Sequence, residues 1–252
     1  MLSTGLVSIT FRKLEPLDIV KLVSQAGLKG IEWGGDIHVP HGNVERAREV
    51  AKMTEDYGLE IAAYGSYYRV GCEGNEGIPS FAEVLETAVE LKAPVIRVWA
   101  GDKGSAQADE SWWQQVIEDS RRIADMAANH NIVIAYEYHG GTLTDTNNSA
   151  YRLIREVNHP NIRSYWQPPV DQDELMRMEG LSQISPWLQN LHVFHWQGRE
   201  RRPLDEGRTE WAKYIEFAQT LPGHHFAMLE FVKDDDPQQF LKDAEVLKQL
   251  VR

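Results

Sequence analysis

Along the chain, short runs of β-branched and aromatic residues alternate with longer stretches in which apolar positions recur every three to four residues, the signatures of buried strands and amphipathic helices. The alternation runs from end to end with no linker or low-complexity break. It predicts strands at Leu6–Thr10, Gly30–Trp33, Glu60–Tyr64, Val95–Trp99, Ile132–Tyr138, Ile162–Trp166, Leu191–Trp196 and Phe226–Val232. Helices are predicted at Pro16–Ala26, Val44–Tyr57, Pro79–Leu91, Asp109–Asn129, Asn147–Val157, Asp173–Asn190 in broken form, Thr209–Thr220 and Pro237–Leu250.

Pro16, Pro79 and Pro237 stand where helices open, a position at which the missing N–H costs nothing, and Gly27 and Gly58 stand where C-terminal caps belong. Strict strand–helix alternation requires a parallel sheet covered by helices. Eight such units in 252 residues predict an α/β fold, a single (β/α)8 TIM barrel spanning residues 1–252, rather than an open doubly wound sheet. No Gly-x-Gly-x-x-Gly follows the first strand, which counts against dinucleotide binding.

Composition narrows the function. With 42% hydrophobic and 25% charged residues the chain is an ordinary globular one, long enough to bury roughly 70–75% of its unfolded surface without disulfides. The 26 Lys and Arg against 38 Asp and Glu leave a net charge of −12, which repels a phosphate backbone, so nucleic acid is not an expected partner. Arg199-Glu200-Arg201-Arg202 is the one local basic run, either a solvated loop or an anion contact through residues such as Arg201. A lone Cys72, no apolar run long enough to span a bilayer and an N-terminus without the layout of an export signal give the expectation of a cytoplasmic protein with no membrane partner.

In a barrel of this kind, reactive groups belong at the C-terminal ends of the strands. Four polar side chains stand there on four consecutive predicted strands: Glu137, Gln167, His195 and Glu230. With a side-chain period of two, Glu137 shares a face with Ala135, His195 with Val193 and Leu191, and Glu230 with Met228 and Phe226, and these apolar companions suggest the barrel interior. Two carboxylates, an imidazole and a carboxamide make a mixed oxygen and nitrogen site for one divalent ion, Mn²⁺ first, with Mg²⁺, Co²⁺ or Zn²⁺ as alternatives. The competing interpretation is a pair of buried glutamates neutralised by neighbouring Arg or Lys.

The strand ends Ile31-Glu32-Trp33, Glu137-Tyr138-His139, His192-Val193-Phe194-His195 and Leu229-Glu230-Phe231 resemble those of the xylose isomerase-like barrels, which include sugar phosphate isomerases and epimerases, and the resemblance covers essentially the whole chain. It implies a divalent metal held by Glu, Asp, His and Glu from the last four strands, at Glu137, Gln167, His195 and Glu230 here, with Glu137 and Glu230 shuttling protons on either face of a keto sugar. Gln167 departs from the expected aspartate. An amide oxygen still coordinates, but one negative ligand is lost. The expected reaction is proton transfer next to a carbonyl through an enediolate, with return to the opposite face giving epimerisation and return to the adjacent carbon giving isomerisation.

Around these groups, His139, Arg97, Trp99, Glu32 and Arg201 are candidate substrate contacts, although Arg97 could instead neutralise Glu137 or another interior carboxylate. His192, of opposite parity to His195, is expected to face the helix layer. His38 and His41 lie in the loop after the second strand, as surface histidines or a second metal site. Trp33, Trp99, Trp166 and Trp196 fall at strand ends, where flat faces can stack on a sugar, although the same residues can fill the gap between barrel and helices. The leading expectation is a sugar isomerase or epimerase acting on a small sugar or polyol. The rival is a metal-dependent lyase or dehydratase on keto-sugars or a keto-inositol, with a non-catalytic sugar-binding protein or an abasic-site endonuclease behind it. A homo-oligomer is compatible with the chain, but no sequence feature reveals an interface.

Overall fold

In the computed structural model of residues 1–252, the barrel strands are Leu2–Val7 (β1), Gly30–Gly34 (β2), Glu60–Arg69 (β3), Val95–Trp99 (β4), Val133–Tyr136 (β5), Ile162–Trp166 (β6), Leu188–Val193 (β7) and His225–Leu229 (β10). All neighbours pair in parallel, and the sheet closes through β1 and β10. The intervening helices are Pro16–Ala26 (α1), Val44–Asp56 (α2), Phe81–Leu91 (α3), Glu110–Ala128 (α4), Asn147–Val157 (α5), Glu174–Ile184 (α6), Arg208–Gln219 (α7) and Pro237–Val251 (α8). The barrel inferred from the alternation is therefore the observed fold. No helix is long and apolar enough to cross a membrane.

Local chemistry sets the helix ends. Ser80 caps α3 and Glu83 reaches back to it, a reciprocal box that starts the helix at Phe81 instead of Pro79. Asn43, Asp109, Thr146, Asp173 and Asp236 cap α2, α4, α5, α6 and α8, each accepting a bond from an amide of the first turn.

The apolar interior has two layers. A cluster of 62 buried residues lies between barrel and helices, whereas one of nine, including Val7, Val95, Ala135, Tyr165, Phe226 and Met228, fills the barrel itself. Most of the hydrophobic core thus lies outside the barrel, and an apolar neighbour on a strand does not mark the inward face.

The seventh strand departs most from expectation. It begins at Leu188 and ends at Val193, and the chain then turns into an antiparallel hairpin, His195–Gln197 (β8) with Glu200–Arg202 (β9). The indole N–H of Trp211 on α7 donates to the Phe194 carbonyl at 2.8 Å, which anchors the point of departure. On β7 it is Leu191 and Val193 that join the outer core, so Asn190 and His192 point inward.

Candidate metal centre and substrate pocket

Four side chains from the C-terminal ends of β5, β6, β7 and β10 converge on one point. Although β5 and β10 end at Tyr136 and Leu229, the next amides, those of Glu137 and Glu230, still donate to the carbonyls of Val98 and Val193 at 3.0 and 2.9 Å. This keeps the ladder's alternation and aims both carboxylates inward. Around Nδ1 of His192 lie Oε1 of Gln167 at 3.0 Å, Oε2 of Glu230 at 3.5 Å and Oε1 of Glu137 at 3.6 Å. The Gln167 amide nitrogen donates to the Tyr138 carbonyl at 2.7 Å, so its oxygen is the end presented to the others.

Beneath this set lies a second tier of charge. Arg97 on β4 is fully buried, its Nε donating to Oε1 of Glu32 on β2 at 2.6 Å while Nη1 pairs with Oε2 of Glu137. Room for that guanidinium comes from Gly65 on β3, where a Cβ would stand 2.7 Å from Arg97 Nη2 and 2.8 Å from Glu32 Oε1. The Trp99 indole also donates to Oε2 of Glu137, at 2.5 Å.

These contacts set Glu137 and Glu230 apart. Burial disfavours charge on Glu137, but Arg97 and His192 outweigh it and hold the group down at about 2. Burial together with the nearby Glu137 charge pushes Glu230 up to about 7, in spite of His192. His192 is itself buried, yet Glu230, Glu137 and Glu32 raise it to about 10. Without a further cation the imidazole therefore serves as the counter-charge.

The donor set fits a divalent ion. Ligands about 2.1 Å from one cation would stand ~3.0–3.4 Å apart, close to the separations around Nδ1. Glu137, His192 and Glu230 can each offer an atom within 4.8 Å of the others. Three buried carboxylates against one guanidinium leave two negative charges, which a divalent cation would cancel while His192 stayed neutral.

Above the donors opens a pocket of 720 Å³ whose floor includes Glu137, Gln167 and Glu230. Tyr67, Trp99 and His139 form one wall, with Tyr67 edge-on to Trp99 and His139 stacked on it at 4.3 Å. Phe194, Trp196 and Phe231 line the other, and Arg12 is the one cationic residue in the lining. Nδ1 of His139 lies 2.7 Å from the Gly140 carbonyl, an acceptor that fixes the proton on Nδ1; Nε2 has no protein partner.

The structure brings together most of the candidates named from sequence, with clear exceptions. Glu137, Gln167 and Glu230 converge, but His195 does not join them. It sits on the hairpin beside Gly207, where even a Cβ would meet its ring at 2.5 Å. His192, expected in the helix layer, occupies the interior position instead, because β7 ends before His195 and its inward residues are the polar ones. The pattern Asn190-Leu191-His192-Val193 carried that signal.

Arg97 and Glu32 are fully buried below the pocket and do not line it, so their placement is that of an ion pair supporting the donors. Trp99 and His139 do line it. Arg201 stays at the rim, bound to Asp235 at 2.5 Å and lying over the Phe231 ring. Of the strand-end tryptophans, Trp33 and Trp166 are buried in the outer core, and only Trp99 and Trp196 reach the pocket. His38 is buried against Ser8 and His41 bonds Tyr64, so neither is a solvated surface histidine. Arg12 and Phe231 also line the pocket, and no signal in the sequence marks them as site residues.

Residues 20–250 match the family model described as xylose isomerase-like TIM barrel. The chain is 28% identical over 205 residues to a 3-dehydroshikimate dehydratase of Bacillus anthracis, covering 75% of this chain and 70% of the relative. Among solved structures, the probable 3-DHS dehydratase involved in petrobactin synthesis from Bacillus anthracis superposes with a TM-score of 0.81 at 25% identity, over 98% of each chain. The 3-keto-D-glucoside 4-epimerase of E. coli superposes with a TM-score of 0.75 at 17% identity, over 99% of each, a likeness of fold alone. Taken with the barrel closure and the strand-end residues, these matches mean that the chain belongs to the xylose isomerase-like TIM barrel family.

Proposed function

We propose that the chain is a divalent-metal-dependent dehydratase that removes water from a small β-hydroxy ketone of the 3-dehydroshikimate type. The convergence of Glu137, Gln167, His192 and Glu230 on one point at the floor of an aromatic-walled pocket carries the chemistry. The relationship to the Bacillus anthracis dehydratase favours elimination over the isomerisation or epimerisation that the residues and the family resemblance put first.

A divalent cation held by these four groups would act as a Lewis acid on the ketone oxygen and lower the cost of the negative charge that proton removal creates. Of the chain's own groups, His139 is best suited to take the α-proton. Its Nδ1 N–H is committed to the Gly140 carbonyl, so Nε2 is the ring nitrogen left to exchange a proton at the pocket wall. Glu137 is held ionised by Arg97 and Trp99 and makes a poor base.

As the α C–H bond breaks and the α,β double bond forms, the β C–O bond breaks and the proton on His139 passes to the departing hydroxyl, which leaves as water. If no hydroxyl departs, return of the proton to the adjacent carbon gives an isomer, and an epimer forms only where a second group, such as Glu230, delivers a proton to the opposite face. That second reading uses the same pocket and differs in the substrate's leaving group and, for epimerisation, in the second proton donor. The fold-level likeness to the 4-epimerase keeps it as the alternative.

Incubation of the Mn²⁺-loaded chain with 3-dehydroshikimate, and separately with free ketoses, tests the choice by mass spectrometry. Loss of one water from the first with no change in the ketoses supports the dehydratase. Ketose interconversion without dehydration would transfer the site to the alternative reaction.

A further inference from the structure

We infer that Glu32, which no pocket contact uses, is a positioning residue that selects Nδ1 of His192 as the atom facing the cation. The inference rests on the metal-centre reading above. Nε2 of His192 and Oε2 of Glu32 are each wholly buried and without a hydrogen-bond partner, and they face one another at 3.6 Å. Two orphaned polar atoms are costly apart and strongly favourable once joined, because a small closure makes a charge-assisted N–H to carboxylate bond.

Glu32 cannot swing away, since its other oxygen is held by Nε of Arg97 at 2.6 Å. The imidazole is confined as well, with Tyr165 packed edge-on against it at 5.0 Å and that phenol held by Asn190 at 2.9 Å. A proton fixed on Nε2 leaves the lone pair on Nδ1, the nitrogen surrounded by Glu137, Gln167 and Glu230. The opposite tautomer would present an N–H to those oxygens and exclude a metal.

Glu32→Gln separates this role from mere packing. Arg97 requires an acceptor, so the substituted amide turns its oxygen to the guanidinium and its NH₂ toward His192. Nε2 then becomes an acceptor and the proton moves to Nδ1. The expected result is Mn²⁺ affinity about 10–100-fold below wild type by calorimetry, with the far-UV circular dichroism of the apo chain retained.

The wild-type protein supplies an independent readout that needs no variant. In the Zn²⁺-loaded chain, ¹⁵N imidazole spectra should show His192 protonated at Nε2 and ligated through Nδ1. Ligation through Nε2 overturns the inference, as does a folded Glu32→Gln chain that binds Mn²⁺ as tightly as wild type. Wild-type protein that takes up no divalent ion overturns the metal centre itself and this inference with it, a failure distinct from the first two.

Discussion

Oε1 of Gln167 lies 3.0 Å from Nδ1 of His192, while the other end of the same amide is spent on the carbonyl of Tyr138. The glutamine is thereby fixed in the flip that offers an oxygen, and it presents a neutral donor where the family resemblance led to an aspartate. A fourth carboxylate would overcharge a centre that already holds Glu32, Glu137 and Glu230. Gln167→Leu should lower Mn²⁺ affinity at least about tenfold. Gln167→Glu should not tighten it, since a carboxylate oxygen cannot donate to Tyr138. Titration calorimetry on both variants checks this, and tighter binding by the second would contradict it.

The two histidines of the 192–195 segment should behave oppositely. His195→Ala removes a ring packed beside Gly207 and is expected to keep metal content and turnover within about threefold of wild type. His192→Gln removes a buried donor and should lower Mn²⁺ affinity by more than about a hundredfold. Metal analysis of the two purified proteins decides between the positions.

His139→Gln should cost about 10²–10⁴ in turnover with Mn²⁺ binding unchanged, since the residue lies in the wall and outside the donor set. A solvent-deuterium exchange assay on a bound ketone reads the proton-transfer step directly. Wild-type exchange in this variant would return the role of base to one of the glutamates.

Stability should depend on pH and metal together. Burial and Glu137 raise Glu230 from 4.5 to about 7 in the folded chain, so its favourable contribution is complete below 4.5 and lost as pH climbs through 7. The carboxylates, overcoming burial, raise His192 from 6.5 to about 10, so that contribution is present below 6.5 and lost through 10. Both make the apo protein less stable between about pH 5 and 10. A divalent ion competes with the same protons, so the rise in Tm on adding Mn²⁺ should grow from pH 6 to pH 9. Differential scanning fluorimetry across that range measures it, and a shift that shrank with pH would contradict the assignment.

Much of this was legible in the chain itself because the barrel writes a strong period. Val95–Trp99, Ile162–Trp166 and the helices Pro16–Ala26 and Asn147–Val157 have the same bounds in sequence and structure. Glu137, Gln167 and Glu230 follow from parity because their strand companions Ala135, Tyr165, Met228 and Phe226 do lie inside the barrel. The rule failed on β7, where Leu191 and Val193 are equally apolar but belong to the outer core. An apolar companion identifies a buried face without saying which one. Arg97 as a partner of Glu137 is one of the readings the chain offers, but no local pattern discloses that the same guanidinium also holds Glu32, a contact dependent on the absent side chain at Gly65.

The account turns on one cation shared by Glu137, Gln167, His192 and Glu230. Equilibrium dialysis against Mn²⁺ followed by elemental analysis, on wild type and on Glu230→Gln, addresses it most directly. The expected outcome is one ion per chain in the wild type and far less than one in the variant. A wild-type chain without metal at saturating Mn²⁺ would contradict it and leave His192 as a protonated counter-ion among buried carboxylates.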